Sequence, residues 1–170
     1  MAEHDHIARL AKLIDSDIRK DKHLRLTEIE VVGLRRQGAI DLHSICADFV
    51  ASVNRQLSPP VLELSPPEYA AEMFRESGVN LMQVNAQGRI IQIAFEATPV
   101  STEKFRIPYI LEGEVRAFNQ EMLERTQIRS QALFFCVEEN RNNWRYFEWL
   151  HGRTGAFGRD QLVSLLERLV

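Results

Sequence analysis

Apolar residues recur at helical spacing near the start of the chain. Over residues 5–20 they fall three or four positions apart, which predicts an amphipathic helix with a charged opposite face. Thr27 and Glu30 have the spacing of a capping box, so a second short helix is expected to run through Arg36. The alternation over 28–31 would also suit a strand, and both interpretations stay open.

A third helix is expected from about Asp41, after Gly38 interrupts the apolar pattern. The pair Pro59-Pro60 ends it, because proline cannot continue a helix and restricts the residue before it.

The next segment has the clearest helix signals of the chain. Ser65 can cap a helix, Pro66 suits its first position, and Glu68 completes a capping box. Gly78 stands where such a helix would end. We therefore expect a helix between Ser65 and Gly78.

After Gly78 the period changes from helical to alternating, which predicts strands. The expected strands cover 79–85, 89–97, roughly 109–118, 132–139 and 144–150. The first hairpin turns around Ala86-Gln87-Gly88 and the second across 140–143. Residues 119–128 fit either a short helix capped by Asn119 or a continued strand, and a last helix begins near Asp160.

These elements predict an α+β protein, with N-terminal helices followed by a roughly five-stranded antiparallel meander sheet that a C-terminal helix closes. The proline-rich stretch separates an N-terminal helical region, 1–58, from a sheet domain, 65–170. One continuous domain is the alternative.

Composition narrows the class of protein. The chain has 170 residues, 45% hydrophobic and 26% charged, which excludes a disordered chain or a fibre. Its net charge of −3 provides no field to attract nucleic acid. No apolar run is long enough to span a membrane, and the polar N-terminus is unlike a signal peptide. Cys46 and Cys136 lie in apolar runs, so we expect reduced thiols and a cytoplasmic location.

One glycine-rich segment could bind an anion. Arg153, Gly155, Gly158 and Arg159 lie between a predicted strand and the last helix, whose N-terminal N–H groups could face a phosphate. No Gly-Lys-Ser/Thr sequence or dinucleotide fingerprint occurs there, and glycines are more often needed simply to turn the chain.

Two further patterns are suggestive of chemistry. Glu114-Val115-Arg116 imitates half of a metal-dependent nuclease motif, whose partner carboxylate would have to be a glutamate such as Glu96. The simpler interpretation is the solvent face of a strand.

His43 and Cys46 stand one helical turn apart, but Cys46 belongs to the apolar face and suits an inert thiol. We therefore predict no catalytic residues, no cofactor and no metal site.

Residues 26–38 look like the opening of a helix-turn-helix of the quorum-sensing regulator type. The recognition helix that should follow is missing, because residues 41–57 contain Arg55 as their single base. Nucleic-acid binding is thus kept only as an alternative function.

Aromatic residues concentrate late in the chain and give the best sign of an interface. In the strand 144–150, Trp144 and Tyr146 alternate with Phe147 and Trp149, so both faces of one strand carry rings. One pair can face the core, while the other needs a helix, a partner or a ligand to cover it.

The predicted element order over 65–170 is similar to that of small secretion-chaperone domains, which dimerise and hold partner segments along their surface. The resemblance is one of element order and includes no motif. We expect a non-enzymatic protein–protein interaction module that binds itself or another protein. The alternatives are a protein handling a phosphorylated small molecule at 152–159 and a nucleic-acid-binding or nuclease-like protein.

Overall fold

A computed structural model describes residues 2–24, 28–98, 109–138 and 141–170. It contains two compact units, Met1–Gly33 and Leu34–Val170. The first unit contains the helix α1, Ala2–Leu24, which confirms the predicted amphipathic helix and extends it at both ends. Large apolar side chains of α1 are exposed, among them Ile7, Leu10, Leu13 and Ile14.

The second helix, α2, is continuous from Glu28 to Asn54. The predicted break at Gly38 is therefore wrong, as is the alternative of a strand over 28–31. A glycine costs a helix interior only about 1 kcal/mol, and packing explains why one is present here. A Cβ at Gly38 would lie 2.7 Å from the ring of Phe135, so the absence of a side chain lets α2 approach the sheet closely.

In the described part of the chain, seven antiparallel strands form one sheet in sequence order. They are β1 (Leu62–Ser65), β2 (Asn80–Ala86), β3 (Arg89–Ala97), β4 (Tyr109–Phe118), β5 (Arg129–Glu138), β6 (Arg141–Glu148) and β7 (Arg153–Ala156). The predicted antiparallel α+β class is confirmed, but the predicted count of five strands is wrong. The two strands that were missed, β1 and β7, have four residues each, too few for a period of two to stand out.

The hairpin between β2 and β3 forms where the sequence predicts it. Gln87 and Gly88 have positive φ angles of 51° and 91°, the conformation of a two-residue turn. Ala86 and Arg89 close the ladder, and the side chain of Asn85 accepts a hydrogen bond from the Gly88 N–H at 2.8 Å.

The predicted helix between Ser65 and Gly78 is wrong. Ser65 belongs to β1, where it pairs with Gln83, and only a 3-10 helix at Ala71–Met73 follows. Tertiary contacts hold this segment instead: His43 Nε2 lies 2.8 Å from the Pro66 carbonyl oxygen. Ladder pairing and these contacts outweigh a local capping signal worth about 1 kcal/mol.

Two further helices complete the described part of the chain. Asn119 caps α3, Gln120–Glu124, by accepting a hydrogen bond from the Met122 N–H at 2.9 Å, which decides between the two interpretations of 119–128. The last helix, α4, spans Arg159–Glu167. Strand β6 already begins at Arg141, so residues 141–143, which the sequence assigned to the second turn, belong to the strand.

One face of the sheet packs against α2 and α4. Ala39, Leu42, Cys46 and Phe49 of α2 belong to the same buried cluster as Leu162 and Leu165 of α4. The cluster also takes its sheet residues from alternate positions of the strands, among them Met82, Val84, Ile91, Ile93, Phe95, Leu111, Val115, Leu133, Phe135 and Trp144. We call this side of the sheet the covered face.

Arg35 of α2 ties together the neighbouring ends of β3 and β4. Its Nε donates to the carbonyl oxygen of Ile110 at 3.1 Å, and its Nη2 donates to the carbonyl oxygen of Thr98. Nη1 forms an ion pair with Glu76 at 3.0 Å. The side chain is buried, so these bonds replace the water that a guanidinium otherwise requires.

Candidate interaction surface on the open face of the sheet

The second face of the sheet carries a mixture of rings and charges. Successive side chains of a strand point to opposite faces, so residues between the covered positions lie on this side. On the central strands they include Leu81, Ala94, Glu96, Glu112, Glu114, Arg116, Ala132, Phe134, Arg145 and Phe147. We call this side the open face; Leu81 is 53% exposed there.

The four candidate interface residues divide between the two faces. Trp144 is 2% exposed, and its indole N–H donates to the Gly38 carbonyl oxygen at 2.7 Å. Tyr146 is half-buried and packs against the same core. Phe147 and Trp149 are in ring contact, with centroids 4.4 Å apart, and Trp149 is 67% exposed. Because Trp144 and Tyr146 pack against the core, Phe147 and Trp149 are the two candidate interface residues that lie on the open face.

Cross-strand partners on neighbouring strands form rows across the open face. The first row has a carboxylate at one end and a guanidinium at the other. Phe134 of β5 pairs with Glu112 of β4 on one side and with Arg145 of β6 on the other. The ring of Phe134 also contacts Tyr109, at a centroid distance of 4.9 Å. Within the described residues, neither Glu112 nor Arg145 forms an ion pair.

The acidic end of this row affects the pKa of Tyr109. Burial raises the pKa of Tyr109, and the charges of Glu112 and Cys136 raise it further.

A second row runs parallel to the first. Ala132 of β5 pairs with Glu114 on one side and with Phe147 on the other. Arg116 follows Glu114 on the same face and donates to its carboxylate at 3.3 Å. Burial by itself would raise the pKa of Glu114, but hydrogen bonds from Arg116 and Ser130 and the charge of Arg116 lower it below its usual value.

A hollow of about 380 Å³ opens between β3, β4 and β5. Its walls include Glu96, Glu112, Glu114 and Phe134. Glu96 is the direct cross-strand partner of Glu112, whereas Glu114, the carboxylate of the nuclease-like pattern, pairs with Ala94. Among the described residues, however, no group of three or more His, Cys, Asp or Glu is placed to hold a metal ion. Glu114 is instead occupied by Arg116.

The glycine-rich segment 152–159 is partly a strand. Residues 153–156 form β7, so some backbone N–H groups expected to face an anion belong to the ladder with β6. Arg153 pairs in register with Glu148, and the charge of Arg153 contributes to lowering the pKa of that carboxylate. Gly158 precedes α4 in an extended conformation, and Arg159 begins the helix. The structure thus places Arg153 beside a carboxylate.

His43 and Cys46 each have a structural environment. The ring of His43 stacks on Tyr69 at a centroid distance of 5.5 Å. Cys46 is fully buried, and burial raises the pKa of its thiol to about 12. A thiol with this pKa is protonated and unreactive at neutral pH. Cys136 is also buried and free.

The segment that looks like a helix-turn-helix lies in part outside the described residues, which omit 25–27. From Glu28 onward it belongs to the single helix α2, so the turn expected near Gly38 is absent from that part of the chain. Along α2, the buried positions Leu42, Cys46 and Phe49 face the sheet.

Comparison with known proteins gives no relative. No protein-family model, no curated protein and no solved structure matches this chain. Across the described ranges, no helix is long and apolar enough to cross a membrane.

Sequence reasoning found the rings of this surface but not the row in which Glu112 and Arg145 flank Phe134. The alternation of Glu112, Glu114 and Arg116 was visible in the sequence, as was Arg145. Their common rows depend on the register between strands, which a single sequence without an alignment does not specify.

Proposed function

We propose that this chain is a non-enzymatic protein–protein interaction module that binds a polypeptide through its open face. The observation that carries the proposal is the ring pair of Phe147 and the exposed Trp149. Tryptophan at 67% exposure, in contact with a second ring, leaves a large apolar area in water. Tryptophan and arginine dominate the binding energy of many interfaces, and Arg145 lies beside this pair on β6.

The chemistry of the described residues also supports binding over catalysis. Cys46 is protonated in the core, His43 is packed between Tyr69 and the Pro66 carbonyl, and Glu114 is paired with Arg116. Each of these groups, which the sequence offered as reactive, therefore has a structural partner. Trp149 instead presents most of its ring to solvent.

A photo-crosslinker tests the proposal. A benzophenone amino acid replaces Trp149 in the full chain, which is expressed in its native host and irradiated. We expect a discrete adduct with one polypeptide, identified by mass spectrometry. The matched control places the same amino acid at Glu167, an exposed position of α4, and should give no such adduct.

A second variant checks that the adduct reports binding by the rings. Phe147→Ala removes the ring that Trp149 contacts and should reduce the yield of the adduct severalfold. If the probe at position 149 gives no more adduct than the probe at 167, the open face is not a binding surface.

A further inference from the structure

We propose that the open face binds the same face of a second copy of this chain, with the two-fold axis parallel to β5. This inference rests on the proposed function and specifies its partner. Most homodimers use such an isologous contact, in which one patch binds itself. The argument comes from the order of charges and rings across the rows.

The first row determines the direction of the axis. Glu112 and Arg145 lie on either side of Phe134, at the same level along the strands. A two-fold axis along β5 exchanges the β4 side with the β6 side. It therefore sets Glu112 of each copy opposite Arg145 of the other. An axis across the strands at the level of this row would instead set Glu112 against Glu112 and Arg145 against Arg145, which like charges oppose.

The rows beyond the first fit the same axis. In the second row, Ala132 lies on the axis and Phe147 of one copy covers the stem of Glu114 of the other. The Glu114 carboxylate is already drawn toward Arg116. Trp149 is two residues beyond Phe147 and therefore lies at the level of Arg116. In the dimer, its exposed ring would meet the exposed guanidinium of Arg116 of the second copy. Arginine on a tryptophan face is a favourable contact.

The area is sufficient for a dimer. Under this axis β4 faces β6, and β3 faces the shorter β7. Strands β4–β6 extend about 27 Å at ~3.4 Å per residue, β3 and β7 meet over about 14 Å, and each strand is ~4.8 Å wide. This gives an area of about 500 Å² on each copy and about 1,000 Å² for the pair. A specific interface needs roughly this total.

Charge reversal at the first row provides the test. By sedimentation, the wild-type chain should be a dimer. In a dimer of the Glu112→Arg variant, each introduced arginine faces Arg145 of the other copy. In a dimer of the Arg145→Glu variant, each introduced glutamate faces Glu112. Each dimer therefore contains two pairs of like charges. Each variant alone should dimerise at least about tenfold more weakly. The control, Glu167→Arg on α4, should leave the dimer unchanged.

Mixing the Glu112→Arg and Arg145→Glu chains separates the interface from a folding defect. In a mixed dimer, the two introduced side chains face each other as an arginine–glutamate pair, while the second pair keeps its native residues, so association should recover. A wild-type monomer at ~100 µM (a concentration far above a micromolar Kd) would overturn the dimer. So would single variants that still dimerise, or a mixture that does not recover.

The outcomes keep the two proposals distinct. A monomeric wild type whose probe at Trp149 links to another protein would leave the interaction module standing and remove the second copy as its partner. A probe that links the chain to itself at Glu114 or Arg116 would support both.

Discussion

Trp144 of β6 and Gly38 of α2 are joined by a hydrogen bond of 2.7 Å across 106 residues of sequence. The indole N–H donates to a helix carbonyl oxygen, and the ring packs edge-on against Phe95. A buried tryptophan usually requires such a partner for its N–H. This bond fastens α2 to β6, the strand whose opposite face presents Phe147 and, just beyond its end, Trp149.

Trp144→Phe removes the hydrogen bond and part of the ring. We expect the free energy of unfolding to fall by about 1–3 kcal/mol, from the lost bond and the space left behind. Urea denaturation followed by circular dichroism measures it. The matched control is Trp149→Phe, which should change the free energy of unfolding by no more than about 0.5 kcal/mol because Trp149 is exposed.

Gly38→Ala should destabilise the protein even though alanine favours helices. The new Cβ would lie 2.7 Å from the ring of Phe135, which is fully buried and has no room to move away. We expect a loss of about 1–3 kcal/mol in the free energy of unfolding. Gly33→Ala, on the same helix, has no atom within 4 Å of the new Cβ. It should stabilise α2 by up to about 1 kcal/mol, and equal effects would contradict this packing.

Arg35→Met keeps most of the length of the side chain but removes its donors. The carbonyl oxygens of Thr98 and Ile110 then lose a charged hydrogen-bond partner, and Glu76 loses its ion pair. The expected loss is about 2–4 kcal/mol in the free energy of unfolding. Arg36→Met, one position along the same helix and exposed, should have little effect in the same thermal or urea titration.

Cys46 should resist alkylation in the folded protein. With a thiol pKa of about 12, its thiolate fraction at pH 8 is about a thousandfold below that of an ordinary cysteine. Labelling with iodoacetamide, followed by peptide mass spectrometry, should find Cys46 unmodified until urea unfolds the chain. Rapid labelling in the native state would show that this part of the core opens.

The turn after β6 should show a pH-dependent contact. A hydrogen bond from His151, at 2.7 Å, lowers the pKa of Glu148, and Arg153 and Arg168 add to the effect. Because the folded-state pKa is depressed, this contact stabilises the fold above the unfolded-state pKa of about 4.3 and is lost as the pH falls through the folded value. His151→Ala should raise the pKa of Glu148 in an NMR titration, and an unchanged pKa would contradict the contact.

Local sequence signals predicted the elements that local chemistry stabilises. Gly88 at a positive φ angle and the Asn119 cap are decided within a few residues, so the sequence predicted the first hairpin and offered α3 as one of two alternatives for 119–128. The same kind of signal failed between Ser65 and Gly78. There the local preference is small, and pairing with Gln83 and the contact with His43 are stronger.

The amino-acid sequence by itself determined the α+β class, the antiparallel meander and the aromatic character of β6, because alternation and turn chemistry are local properties of the chain. Only the tertiary structure decided that Trp144 is core and Trp149 is surface, and that Glu112, Phe134 and Arg145 form one row. Strand register is set by which faces become buried together. That choice depends on the whole sheet and on α2, whose approach at Gly38 fixes the covered face.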